Sequence, residues 1–316
     1  MLNIFYSDND GALQELTLDT LKTGAWISIT DPTPYELKLV GEVTEVEPDF
    51  LRSALDDEER SHTDGEDNAV LVLTNVPVVR DGEYDALPLG VILTEDYIIT
   101  VCLEETPVMA EFNVRTAKLF RTFKRTRFLF QILYKSVTYY LKYLRQISRQ
   151  SEEIEDRLRV SMKNKDILRL LELQKGLTYF NAALRSDGVV LDKLLRHRTN
   201  HGSTNIIRIY EEDEELLEDV IIENKQAREM VEMYGKILAR QADTFSSIIS
   251  NNQNSVMKFL AAITIIIAIP TVIASFFGMN VPIPFGENQN GFLYIMLIAV
   301  SGSGALAYAF WRRNMF

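Results

Sequence analysis

The chain has little of what most catalytic and metal sites are built from. Its 316 residues include one cysteine, Cys102, and three histidines, His62, His197 and His201, far apart and without ligand spacing. A disulfide framework and a Cys-rich metal site are thereby excluded. Cys102 lies in an apolar segment and reads as core filling, the histidines as surface or cap residues. There is no GxGxxG, no phosphate-binding loop and no Ser/His/Asp grouping, so nothing points to an enzyme and no cofactor is expected. The formal net charge of −12 argues against nucleic acid, which needs a clustered basic surface. It is compatible with cations as partners, although most surface acids only keep a protein soluble. The first residues, MLNIFYSDND, lack a basic stretch followed by a long apolar one, which predicts no signal peptide.

Charge itself is what the C-terminal part lacks. From Lys258 onward only Lys258, Glu287, Arg312 and Arg313 are charged, so an acidic body is joined to a nearly uncharged tail. Within that tail, Phe259–Phe277 and Phe292–Trp311 are free of charge. About 20 apolar residues span the hydrocarbon core as a helix, so two membrane spans are expected. Lys258 precedes the first span and Arg312 and Arg313 follow the second, while residues 278–291 contain no Lys or Arg. The positive-inside rule then puts both termini in the cytoplasm and the loop outside, with Trp311 as an interfacial anchor.

The body divides in two. Residues 1–107 read as a small α/β or α+β domain with strands NIFYS, AWISIT, AVLVLTNVPVV, LPLGVIL and DYIITVCL. Thr33-Pro34-Tyr35-Glu36 is a capping box that predicts a helix over Pro34–Val43, with another near Pro48–Leu55. The run DDEERSHTDGED, residues 56–67, reads as a solvated loop or as an acidic site. Residues 108–205 form a helical region, with helices expected near 108–160 and 165–198.

From Ile206 to Ile269 there is no proline and only one glycine, Gly235, which permits one continuous helix: a stalk over 206–258 that enters the first span. Ile206–Phe277 as a single helix would be roughly 108 Å long at 1.5 Å per residue. Apolar residues recur at three-four spacing, at Leu217, Val220, Ala227, Val231, Tyr234, Leu238, Phe245 and Ile248, interrupted by Asn224 and Gln241. Such a seam asks for partners, most simply copies of itself. The same spacing, carried into the span, is read as Asn254, Met257, Ala261, Thr264, Ala268, Thr271 and Ser275. This small or hydroxyl-bearing stripe suits close helix packing. On the axis of a symmetric bundle it would instead line a narrow, mildly polar pore. The second span, with SGSGALAYA, has no comparable polar line and reads as a helix packed around the first.

At the end of the first span stand Phe277, Gly278, Met279 and Asn280; NSVMKFL leads into it, WISITDPT lies at 26–33, and the C-terminal end is basic. On these residues the chain resembles the CorA family of magnesium transporters over its whole length. The resemblance implies an α+β cytoplasmic domain, a long stalk helix, two C-terminal transmembrane helices and a homopentameric funnel in the cell membrane. It implies Gly278, Met279 and Asn280 as the selectivity filter at the outer mouth. Mg²⁺ dehydrates reluctantly, so a ring of amide and carbonyl oxygens that accepts hydrogen bonds from its water shell suits it. Gly278 would let the chain turn and its carbonyl approach the axis. Met257 and Leu260 would form an apolar constriction able to close by dewetting. Lys258, Arg312 and Arg313 would form a basic collar near the inner mouth, beyond which residues 312–316 are a cytoplasmic tail.

The resemblance further implies Mg²⁺ as both substrate and regulatory ligand, with high internal Mg²⁺ favouring closure. In the acidic stretch YEEDEELLEDV, Asp219 falls where a stalk aspartate of the family contributes, and Asp56 or Asp57 could face it across a subunit interface. Plain surface acids are the competing reading. Many members have tyrosine before the tripeptide, where this chain has Phe277. Carriage of Co²⁺ or Ni²⁺, a zinc transporter of the same superfamily, and a non-transporting membrane-anchored coiled-coil scaffold are the remaining readings.

Overall fold

The computed structural model describes residues 1–8, 10–66, 68–160, 164–197, 206–279 and 290–313. These fall into two compact units, Met1–Ala242 and Asp243–Phe316.

The first unit is built on a seven-stranded sheet in the order β2-β1-β3-β7-β6-β5-β4. Its strands are β1 (Leu2–Ser7), β2 (Leu13–Leu16), β3 (Trp26–Thr30), β4 (His62–Gly65), β5 (Ala69–Arg80), β6 (Glu83–Thr94) and β7 (Ile98–Cys102). Only β3 and β7 run parallel. The long β5–β6 hairpin turns at Asp81-Gly82, both at positive φ, where the second residue's lack of a Cβ removes the strain.

Helices cover both faces, which is why β5 is buried almost end to end instead of alternating. On one face α1 (Pro34–Thr44) and α2 (Pro48–Ser53) lay Val40, Phe50, Leu51 and Ala54 over Ile27, Ile29, Leu71, Leu73, Ile99 and Val101. The capping box is present: Thr33 Oγ1 accepts from the Glu36 N–H at 3.2 Å, and Glu36 Oε2 accepts from the Thr33 N–H at 2.7 Å. On the other face lie α4 (Arg125–Val160) and α5 (Asn164–His197). Trp26, 2% exposed, packs edge-on against Phe112, Phe120 and Phe128, and its indole N–H donates to Thr100 Oγ1 at 2.9 Å.

Several sequence expectations need correction. Strands β2 and β4 are additional to the five expected, and β4 lies inside the acidic run. It pairs with β5 as an edge strand, so its residues stay polar while its backbone completes the sheet. The helix expected from 108 begins at Arg125. Before it come only a short helix, α3 (Pro107–Ala110), and a 3₁₀ turn, because Phe112 and Phe120 are drawn out of helical register to pack on Trp26. The long helix, α6, spans Glu211–Phe277 and so starts five residues later than expected.

The larger correction concerns the seam. Leu217, Val220, Ala227, Val231 and Leu238 are buried inside the single chain. Asn224, 3% exposed, donates to the Leu184 carbonyl of α5 at 3.2 Å. Gln241 accepts from Ser151 and donates to Glu155, both on α4. This strip of α6 therefore packs on the chain's own helices and is not free to pair with copies of itself. Three-four steps counted on from Ile248 reach Asn252, Ser255, Phe259, Ala262, Ile266, Ile269 and Ile273, whereas Asn254 lies six residues away. The stripe that begins at Asn254 is thus not the continuation of the seam.

Cys102 behaves as core: it is 3% exposed, and burial pushes its thiol up to about 11. Asp187 on α5 is the unexpected buried acid. Its Oδ1 accepts from Ser61 Oγ at 2.6 Å, Thr74 Oγ1 at 2.9 Å and the Asn75 N–H at 2.9 Å, which ties the acidic run and β5 to α5. Burial nevertheless outweighs these donors and pushes its carboxyl up to about 6. The folded state then binds this proton more tightly than the unfolded chain, so the contribution is present below the unfolded value and is lost as pH rises through about 6. Asp187→Asn keeps an acceptor and cannot ionise. We expect the unmodified protein to lose about 3 kcal/mol relative to this variant between about pH 4 and pH 8, since the carboxyl rises from 3.8 to about 6 and each pH unit of that interval is worth about 1.36 kcal/mol. Denaturant unfolding of both proteins across this pH range measures it.

Candidate functional site

The second unit contains the apolar half of α6 and α7 (Gly291–Arg312), the two helices long and apolar enough to cross a membrane, with mean hydropathies of 2.4 and 1.8 over their best windows. They touch through one strip each. On α6, Ala262 is fully buried and Ile266, Ile269 and Ile273 are half-buried; on α7 the half-buried residues are Ile295, Ala299, Gly302, Ser303, Leu306, Ala307 and Phe310. Small residues on α7 let the backbones approach, as expected for helices in lipid, where packing replaces the hydrophobic drive. The packing role read for SGSGALAYA thus belongs to Gly302 and Ser303.

Asn254, Met257, Leu260, Ala261, Thr264, Ala268, Thr271 and Ser275 are all exposed. At 3.6 residues per turn their mean direction lies roughly 150° from the strip that α7 covers. The small and hydroxyl-bearing face is therefore left open by the chain's own second helix. Met257 and Leu260, 65% and 52% exposed, are its large apolar members at the end nearest the stalk.

The hydroxyls on this face are oriented. Thr264 donates to the Leu260 carbonyl at 2.8 Å and Thr271 to the Ile267 carbonyl at 2.9 Å. A hydroxyl whose hydrogen is held by the backbone four residues back presents lone pairs outward. Acceptors are what the outward-pointing hydrogens of a hydrated cation require.

At the end of α6, the Gly278 N–H still donates to the Ala274 carbonyl at 2.9 Å, and the Met279 N–H reaches the Phe276 carbonyl at 3.4 Å. Gly278 is not among the glycines at positive φ. A Cβ there would stand 3.3 Å from the Ala274 oxygen, a close approach that glycine avoids. Met279 is exposed, and Asn280 lies outside the described residues.

The cationic residues sit at the other ends. Lys258 is exposed just before the apolar run, and Arg312 and Arg313 are exposed at the C-terminus of α7, where a cation complements the helix dipole. Asp56, Asp57 and Asp219 are exposed, and Asp56 Oδ1 accepts from the Glu58 N–H at 3.0 Å. Among the described residues of the single chain, no three His, Cys, Asp or Glu side chains are grouped to hold a metal ion. Within the acidic stretch it is Asp213 that turns inward, where Arg127 of α4 donates to it at 3.1 Å.

Residues 22–313 match the family described as CorA-like Mg²⁺ transporter protein. A curated relative, the cobalt/magnesium transport protein CorA of Methanocaldococcus jannaschii, is 25% identical over 321 residues, covering 99% of each chain. The complete structure of the CorA magnesium transporter from the same organism superposes with a TM-score of 0.80 at 23% identity, covering 99% of this chain and 98% of that one. The ZntB cytoplasmic domain from Vibrio parahaemolyticus superposes with a TM-score of 0.60 at 13% identity, covering 80% of this chain and 97% of that one. With an α+β domain, a long helix and two apolar C-terminal helices in the order those relatives share, and a family match over most of its length, the chain belongs to the CorA-like Mg²⁺ transporters, a family of ion transporters and not of enzymes.

Proposed function

We propose that the chain is one subunit of a homo-oligomeric channel, a pentamer by family resemblance, that carries hydrated Mg²⁺ into the cytoplasm down its electrochemical gradient. The observation that carries this reading is the open face of the first apolar helix. Its small residues and outward-facing hydroxyl lone pairs lie opposite the strip covered by α7 and run up to Gly278-Met279-Asn280. Copies arranged with these faces inward make a narrow conduit of acceptors, with the tripeptide at its outer mouth and both termini in the cytoplasm. The ring is neutral, so it holds the ion loosely enough to release it. A membrane potential assists entry by about 4.6 kcal/mol per 100 mV for two charges, and no nucleotide is needed. Met257 and Leu260 form the apolar constriction, and Lys258, Arg312 and Arg313 the basic collar below it.

The test is Mg²⁺ uptake into proteoliposomes. Asn280→Ala removes an acceptor from every subunit of the ring, and since even one lost hydrogen bond to the ion's water shell is worth about 1.4 kcal/mol at the upper end of the usual range, the uptake rate is expected to fall at least about tenfold. Equal uptake by both proteins overturns the filter assignment, and no uptake by either favours the scaffold reading. A second reading, kept from the sequence, is a zinc transporter of the same superfamily. Competition by Zn²⁺, Co²⁺ and Ni²⁺, run with and without a proton gradient, separates the two: Mg²⁺ channel activity persists without the gradient.

Closure by internal Mg²⁺ would use Asp219 of one subunit and Asp56 or Asp57 of another, all exposed and free of a metal cluster among the described residues of the single chain. Asp219→Asn is expected to keep the channel open at severalfold higher internal Mg²⁺. Unchanged inhibition in a concentration series removes Asp219 from the mechanism.

A further inference from the structure

Pro270 stands within the apolar part of α6. Proline has no backbone N–H, so the carbonyl four residues earlier, that of Ile266, loses the donor that the helix would otherwise provide. On the surface of a soluble protein water would replace it. Within hydrocarbon it cannot, and a polar group left unmatched there is costly.

Ser303 of α7 lies at this point. Its hydroxyl is 3.4 Å from the Ile266 oxygen and 2.9 Å from the Ala299 oxygen one turn back on its own helix. A serine has a single hydroxyl hydrogen, so the two carbonyls share it. Ala299 keeps its ordinary helical donor; Ile266 does not. The neighbouring Gly302 lies at the same approach, where a Cβ would meet Cγ2 of Ile269 at 3.6 Å, an ordinary van der Waals contact. Ile266 and Ile269 belong to the strip of α6 that α7 covers, and the open face carries Ala268 and Thr271 on the other side of the same turn.

We propose that Ser303 is a positioning residue for the first apolar helix. It supplies from α7 the donor that Pro270 denies to the Ile266 carbonyl, and it pins the interrupted turn of α6 so that the open face beyond it keeps its direction. The consequence for ion flux rests on the proposed function; the hydrogen bond does not.

A double-mutant cycle on the full-length protein tests it. In the Pro270→Ala background the substituted alanine carries an N–H that the helix can direct to Ile266, and Ser303 becomes redundant there. Ser303→Ala is therefore expected to weaken unfolding resistance about threefold in the unmodified background, a typical effect for an interhelical hydrogen bond in lipid. It should also reduce Mg²⁺ uptake by proteoliposomes severalfold. Both effects should vanish in the Pro270→Ala background, and Ser303→Thr, which keeps the hydroxyl, should restore both. Equal losses in the two backgrounds, or none in either, overturn the assignment. If the unmodified protein carries no Mg²⁺, the proposed function fails, and the unfolding cycle still decides the role of Ser303.

Discussion

A helix has a single circumference, and how α6 divides it governs most of what this chain can do. In the first unit one strip of α6, from Leu217 to Leu238, is buried against α4 and α5, with Asn224 and Gln241 held by hydrogen bonds to them. In the second unit one strip, from Ala262 to Ile273, is covered by α7. Each unit leaves the remaining faces open. The polar residues inside the first strip bond to partners on the same chain, Asn224 through its amide nitrogen and Gln241 through both its oxygen and its nitrogen, which is how they are accommodated where an apolar seam was expected. The open face of the second unit has no such partners. Its small side chains and back-bonded hydroxyls suit either a close neighbour or water, and a water-filled axis between copies offers both.

The sheet imposes the matching constraint on the body. With α1 and α2 on one face and α4 and α5 on the other, the central strands have no solvated side, so any polar group there must find a partner within the fold. Trp26 meets the requirement through Thr100, and Asn75 and Thr74 meet it through Asp187. Asp187 is the costly member of this set, because three donors do not offset complete burial of a carboxylate. It links the edge of the acidic run, at Ser61, to α5. Whatever changes the charge of that group therefore acts on the join between sheet and helix layer.

What can be read from the residues alone follows the range of the forces involved. The capping box at Thr33 and Glu36, the apolar runs of the two spans and the continuity of α6 depend on neighbours within a few residues, and all three are legible in sequence. Strand β4 is not, because an edge strand such as His62–Gly65 is polar and exists only through its pairing with β5. The start of α4 is hidden for the same reason: Phe112 and Phe120 obey Trp26, nearly a hundred residues away in sequence, and not local helical propensity. The seam misleads because three-four periodicity reports that a helix is covered without reporting by what. At the site, the open stripe is legible as composition. Gly278 is legible only as a residue that lets the chain turn; the 3.3 Å between the site of its missing Cβ and the Ala274 oxygen is a detail that composition does not carry. Ser303 leaves only the trace of a small-residue run and a proline in the other helix, two features that gain meaning once Ile266 and Ser303 are seen side by side.

The neutrality of the apolar half bears on how a divalent ion could pass it. Between Lys258 and Arg312 the sequence contains a single charged residue, Glu287, so no acidic ring lies in the spans to bind a bare cation. A naked Mg²⁺ in such a conduit would lose most of its hydration without replacement, a cost that neutral amides and hydroxyls do not offset. An ion that keeps its water avoids that cost and requires only acceptors at a distance set by the water shell. Thr264 and Thr271 are held in the acceptor orientation by bonds to their own helix, and the turn that holds Thr271, from Ile267 to Thr271, contains Pro270. Under the proposed function, selection by hydration would rest on the integrity of this interrupted helix.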